Sequence, residues 1–208
     1  RPPRSTLFPY TTRFRSADNG IVKEGISQSG QEVTLAVAQS MGRHESSVCR
    51  MASASHTDVV PVDIGIAASC KIDGVLDEKI ACGTRNFAKE PAMTEKETLD
   101  AIDTGVRLVK QCKENGYQIL ATGEMGIGNT TTSSAVTAAL LHRLASETAG
   151  RGAGLNDKGL SRKKQVIQEA IDRYDLYKAD AFTVLQTVGK IVYFFLAVLL
   201  IGGILSFG

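Results

Sequence analysis

The chain has 208 residues, 43% of them hydrophobic and 22% charged, with a formal net charge of +2. That length and apolar content suffice for one sizeable core with at most a small second lobe. The positive excess lies in the four arginines of residues 1–16; beyond them acidic residues outnumber basic ones, which excludes a basic nucleic-acid-binding surface.

Residues 1–16 contain no acid, no initiator methionine and no helical or strand period. They read as an adapter-like leader foreign to the gene, with an Arg/Ser-rich transit peptide as the alternative. Residues 17–22 read as the end of a truncated strand running into a turn, and residues 24–32 as a polar loop. A helix is expected over 33–41, with Val33, Val37 and Met41 on one face, and a second over 46–53. Residues 59–66 form an apolar strand with Asp63 in its second half, near the carboxyl edge where open α/β sheets gather ligands. A cap for a neighbouring loop is an equal reading of Asp63.

The loop 83–93 is rich in side chains able to face a ligand, and it ends at a helix start. Thr94-Glu95-Lys96-Glu97 fits a capping box, Leu99, Ile102, Val106 and Val109 follow at helical spacing, and Asn115-Gly116 supplies the stop. Residues 117–122 read as a short buried strand. Gly123-Glu124-Met125-Gly126-Ile127-Gly128-Asn129-Thr130-Thr131-Thr132 follows, leading into a helix over 131–144 whose Ala135, Ala138, Ala139 and Leu140 can pack on a sheet. Strand, helix, strand and Gly loop in this order make a βαβ crossover.

The Gly run nearly matches the nucleotide P-loop pattern, with Asn129 where the lysine belongs. Without a lysine for β- and γ-phosphates, it suits a phosphate monoester held by backbone N–H groups at a helix N-terminus; a tight turn with no ligand is the plain alternative. Glu124 would repel phosphate unless it faced another part of the ligand, such as a sugar hydroxyl or a developing positive charge on a ribose. A second cluster, Gly150-Arg151-Gly152-Ala153-Gly154, leads to Arg162-Lys163-Lys164 and a helix bearing Val166, Ile167, Ala170 and Ile171. The two loops could close on one phosphate with a lysine as ligand, although each basic residue singly also reads as solvated surface.

Residues 191–208 are uncharged and just long enough to span a bilayer. A tail anchor, a frameshift or assembly join, and a buried core helix are the competing readings. Cys49, Cys70, Cys82 and Cys112 form no C-x-x-C pair, and His44, His56 and His142 stand at no ligand spacing with them, so neither a metal nor a cofactor is expected. Reduced thiols in a cytoplasmic protein are the simple account.

Five motifs in order, Ala17-Asp18-Asn19-Gly20 with Glu24-Gly25-Ile26-Ser27, Val62-Asp63-Ile64-Gly65, Gly83-Thr84-Arg85-Asn86-Phe87 with Pro91-Ala92-Met93-Thr94, the Gly123–Thr131 run, and Gly150-Arg151-Gly152 with Gly154-Leu155, resemble the nicotinate-nucleotide:dimethylbenzimidazole phosphoribosyltransferase family. The resemblance covers about residues 17–189. It implies an α/β fold, three-layered and Rossmann-like, with a mostly parallel sheet flanked by helices and incomplete relative to the family. It further implies transfer of the phosphoribosyl group of nicotinate mononucleotide to 5,6-dimethylbenzimidazole, giving α-ribazole 5′-phosphate and nicotinate in cobalamin nucleotide-loop assembly, by a homodimer.

By motif match, Gly126, Gly128, Asn129 and Thr130 would cradle the phosphate and Gly152, Gly154 and Lys163 would close over it. Glu124 would lie by the ribose or the reacting centre. Ser27 and Gln31 would serve the benzimidazole pocket, and Asn86 would line the same cavity, as would Met93 if not simply packed. The family's general base is a late glutamate that follows the region of resemblance, so no residue here is assigned that role and the chain as given is expected to be inactive. A membrane-tethered nucleotide-binding module without turnover is the alternative from another class. Asn129 in place of lysine argues against a nucleoside triphosphatase.

Overall fold

The structure is a computed structural model that describes residues 10–189. Four parallel strands, β1 (Tyr10–Ala17), β2 (Asp58–Gly65), β3 (Leu76–Asp77) and β4 (Ile119–Met125), lie in the order β3-β2-β1-β4. The first connection carries α1 (Glu32–Gly42) and α2 (Ser47–Ala54), and α3 (Glu95–Glu114) returns the chain across β1 to β4. Because parallel crossovers are right-handed, reversing direction along the sheet puts α3 on the face opposite α1 and α2. Leu108 and Val109 of α3 accordingly pack on Val62 and Leu120. The mostly parallel, helix-flanked α/β architecture is the one expected.

Several element boundaries are those read from the sequence. Ser46 caps α2 by accepting from the Cys49 N–H, and Thr94 and Glu97 form the capping box of α3. Gly116 takes the left-handed conformation, φ +81°, just beyond the Asn115 C-cap. Asp63 proves to be the loop cap, accepting from the N–H groups of Gly65 and Ile66 and pairing with Lys79 at 3.1 Å.

Two boundaries are corrected and one is refined. Residues 10–16, expected to carry no strand period, form most of β1, an inner strand paired with β2 and β4. Residues 17–22, expected to be a strand end running into a turn, hold the last strand residue, Ala17, and the start of a 3-10 helix, Gly20–Glu24. The short buried strand expected over 117–122 is Ile119–Met125 with none of its residues fully buried, and it runs to Met125 because Phe14, Arg15 and Ser16 continue the ladder against Gly123, Glu124 and Met125. Residues 1–9 of the adapter-like leader and the apolar run 191–208 lie outside the described residues.

Beyond the sheet, α4 (Asn129–Leu140), α5 (Ala145–Thr148), α6 (Asp157–Arg173) and α7 (Ala181–Val188) form a helical layer. Its largest apolar cluster joins Ala135, Ala138 and Ala139 of α4 to Val166, Ile167, Ala170 and Ile171 of α6, and it also takes in Ile21 and Phe87. Small alanines on α4 let α6 approach closely. That approach brings the two glycine loops together.

Candidate functional site

The chain leaves β1 toward β2 on one side and reaches β4 on the other, so the topological switch point lies at the carboxyl ends of β1 and β4. Such a crevice is where open α/β sheets bind ligands. Two loops meet there. Asn19, just past β1, donates its side-chain amide to the Ile127 carbonyl at 3.0 Å, and the Ile127 N–H donates to the Thr34 hydroxyl of α1 at 3.0 Å. The glycine loop is thus held from both sides of its centre.

Gly126 and Gly128 are there for different reasons. A Cβ on Gly126 would stand 2.0 Å from the Ala17 carbonyl oxygen, so only glycine permits the loop to lie against β1. Gly128 is the N-cap of α4 at φ +92°, and its carbonyl accepts from the Thr131 and Thr132 N–H groups. Asn129 and Thr130 therefore open the helix, whose partial positive charge faces the crevice.

Lys163 reaches the first turn of this helix. It projects from α6, is 1% exposed, and donates its ammonium to the Thr130 hydroxyl at 2.8 Å and the Gly150 carbonyl at 3.0 Å. Burial pushes its pKa down. Among the described residues no carboxylate forms an ion pair with it, and an ammonium has a third proton to give. A buried cation beside a helix N-terminus, satisfied only by neutral oxygens, has the chemistry to receive an anion. Gly152 presses on the same point, since a Cβ there would lie 2.7 Å from the Thr130 hydroxyl and 3.6 Å from the Lys163 nitrogen.

The remaining expected site residues are more dispersed. Gly154 is tied to the 24–32 loop through Gln28, whose amide donates to its carbonyl. Gln31 donates to the Asn19 carbonyl at 3.4 Å and so touches the same crevice, whereas Ser27 accepts locally from the Ser29 N–H. Glu124 is half-buried on β4 and lies opposite Arg15 in register; burial lowers Arg15 to about 10, and the negative charge of Glu124 works against that lowering. Asn86 is buried with both ends of its amide used inside the protein: Nδ2 donates to Glu24 at 2.7 Å and Oδ1 accepts from the Ala88 N–H. Met93 is 6% exposed, in keeping with packing.

Sequence reasoning counted Asn19 and Glu24 among the motif residues but gave them no role, singled out neither Gln28 nor Thr34, and gave Arg162 no partner. The Asn19 contact joins residues 108 apart and the Arg162–Glu24 contact residues 138 apart. No local pattern carries such pairs. Among the described residues, no group of three or more His, Cys, Asp or Glu is placed to hold a metal, all four cysteines are free thiols, and no helix is long and apolar enough to cross a membrane.

A family model described as "Phosphoribosyltransferase" matches residues 9–204. Among similar curated proteins, the nicotinate-nucleotide–dimethylbenzimidazole phosphoribosyltransferase of Ruminiclostridium cellulolyticum is 43% identical over 187 residues, which are 88% of this chain and 53% of that protein. The protein of the same name from Clostridium perfringens is 38% identical over 174 residues, 84% of this chain and 48% of the relative. The crystal structure of CobT from Thermus thermophilus superposes with a TM-score of 0.87 at 32% identity, covering 96% of this chain and 61% of that one. The chain therefore spans about half the length of the curated relatives it matches.

Proposed function

Because the chain belongs to the phosphoribosyltransferase family whose curated members carry the name nicotinate-nucleotide–dimethylbenzimidazole phosphoribosyltransferase, we propose that it is part of an enzyme moving the phosphoribosyl group of nicotinate mononucleotide to 5,6-dimethylbenzimidazole. The bond from ribose C1′ to the pyridinium nitrogen breaks, its electron pair leaving with nicotinate. A benzimidazole nitrogen bonds to C1′, and the proton on the other ring nitrogen is lost to a base. A cationic leaving group needs no acid. The demand on the protein is therefore placement of the ribose between two flat rings, with the 5′-phosphate as the handle.

The observation that carries this reading is Lys163, a buried ammonium lying under Thr130 at the first turn of α4 with Gly150 and Gly152 beside it. In this reading Gly126, Gly128, Asn129, Thr130, Gly152, Gly154 and Lys163 hold the phosphate. Glu124, two residues before Gly126, serves the ribose side, and Ser27 and Gln31 serve the incoming base. Asn86 lines the same pocket. No described residue is assigned as general base. The homodimer and cytoplasmic location that the family resemblance implies are part of the same proposal; sedimentation at micromolar concentration tests the first and cell fractionation the second.

Lys163→Ala tests the cradle. Calorimetric titration should show nicotinate mononucleotide affinity falling at least thirtyfold, about 2 kcal/mol, as expected for loss of a charge-assisted phosphate contact. The affinity for free dimethylbenzimidazole should stay within about twofold. Equal weakening of both ligands would give Lys163 a structural role and reject the assignment.

A further inference from the structure

Glu24 is a carboxylate that the proposed transfer does not use, yet it ties together three separate segments. Its side chain is 14% exposed, Oε1 accepts from Asn86 Nδ2 at 2.7 Å, and Oε2 accepts from Arg162 Nη2 at 2.7 Å. Arg162 also donates through Nε to the Glu24 main-chain carbonyl at 3.4 Å. Gly25 then turns the chain in a left-handed cap at φ +70°, and buried Ile26 anchors it in the helical core. Ser27 to Gln31 follow directly. At the other end of the bridge, Arg162 is the residue before Lys163 on α6.

We infer that Glu24 is a positioning residue: by clamping Arg162 and Asn86 it sets the separation between the 27–31 loop and the Lys163 ammonium, so that a phosphate and a planar aromatic base bind as a coupled pair. Both carboxylate oxygens are engaged by donors on different elements, so the loop cannot slide along α6 without breaking one charge-assisted bond. The contact of Gln28 with the Gly154 carbonyl is a second tie between the same two regions. With Glu24 removed, Arg162 loses its carboxylate next to a second cation, Lys163, and Asn86 keeps a buried amide without an acceptor. The inference rests on the phosphate reading of Lys163 given above.

The test titrates the full chain with inorganic phosphate and with 5,6-dimethylbenzimidazole, each alone and each with the other saturating. Wild type, Glu24→Ala, Glu24→Gln and Lys163→Ala are compared. In the wild type each ligand should tighten the other about tenfold. Glu24→Ala should bring this coupling to near unity while changing the affinity for phosphate alone less than about threefold. Glu24→Gln keeps the size and an acceptor but not the charge, and should retain part of the coupling; it carries the comparison should the alanine variant not fold.

A residue important only for folding would lower both single-ligand affinities and leave their ratio alone. Coupling undiminished in Glu24→Ala or Glu24→Gln, or absent from a wild type that binds phosphate, overturns the inference while the cradle stands. A wild type that binds no phosphate overturns the cradle and the inference together. Phosphate binding lost in Lys163→Ala alone, with coupling lost in Glu24→Ala and reduced in Glu24→Gln, supports both.

Discussion

Lys163 and Gly126 mark two ways in which a residue would serve the proposed anion site. The glycine loop lacks the lysine that a P-loop carries at its end, and Asn129 stands there instead. The cation arrives from α6, 33 residues beyond Thr130, and its burial removes the water that would otherwise screen it. Gly126 contributes by having no side chain at all. Gly126→Ala should lower stability by about 2 kcal/mol or more, because the added carbon meets the Ala17 carbonyl, which is backbone and cannot rotate away. Urea unfolding followed by circular dichroism reads this as a drop in midpoint at constant slope; an unshifted midpoint would show that the loop does not lie against β1. At Gly128 the added carbon meets the Val22 side chain at 2.9 Å, so the main cost is about 1 kcal/mol for the left-handed backbone.

Among the elements, β1 is the one whose chemistry disagrees with its place. A strand flanked by parallel neighbours and covered by helices is ordinarily a run of Val, Ile and Leu. Here Arg13 and Arg15 are 6% and 4% exposed in its centre, and Arg13 donates through Nε to the Cys112 thiol at 3.2 Å. A thiol is a poor substitute for water or a carboxylate, so the guanidinium is bound at a net loss. Arg13→Leu should therefore stabilise the fold, by about 1–3 kcal/mol, with a matching rise in the urea midpoint. A lower midpoint would mean that the Arg13 donors are better satisfied than their surroundings indicate. The same misfit explains why residues 10–16 show no strand period: their polar character hides a position that only pairing with β2 and β4 defines.

Across the whole molecule, the ligand loops are held by polar ties between elements distant in sequence, and one of these has a readable pH signature. Arg85 in the 83–93 loop pairs with Glu97 at the start of α3 at 2.7 Å, and the two hydrogen bonds from its guanidinium, with the capping N–H of Thr94, hold the Glu97 carboxyl at about 2. A carboxyl lowered on folding stabilises above its ordinary value near 4.5 and loses that contribution as pH falls toward 2. The expected loss is on the order of 1 kcal/mol after solvent screening, read as a falling urea midpoint between those limits. Glu97→Gln should flatten that segment of the profile; an unchanged slope would dismiss the pair as its source. Local signals were legible wherever a residue acts on its own neighbourhood: the Thr94 capping box, the Gly116 stop, and the glycines that let the 126–128 loop form. The order of motifs was enough to indicate the family. The sequence by itself thus determined the crossover, the glycine loop and the residue types available to it. Only the tertiary structure decided that Lys163 lies beneath Thr130, that Asn86 reaches Glu24, and that residues 10–17 take the middle of the sheet. The physical reason is common to all three. Backbone conformation is set by neighbours in sequence, whereas the partner of a buried charge or of a strand edge is set by which elements pack together, and that packing joins residues up to 138 positions apart.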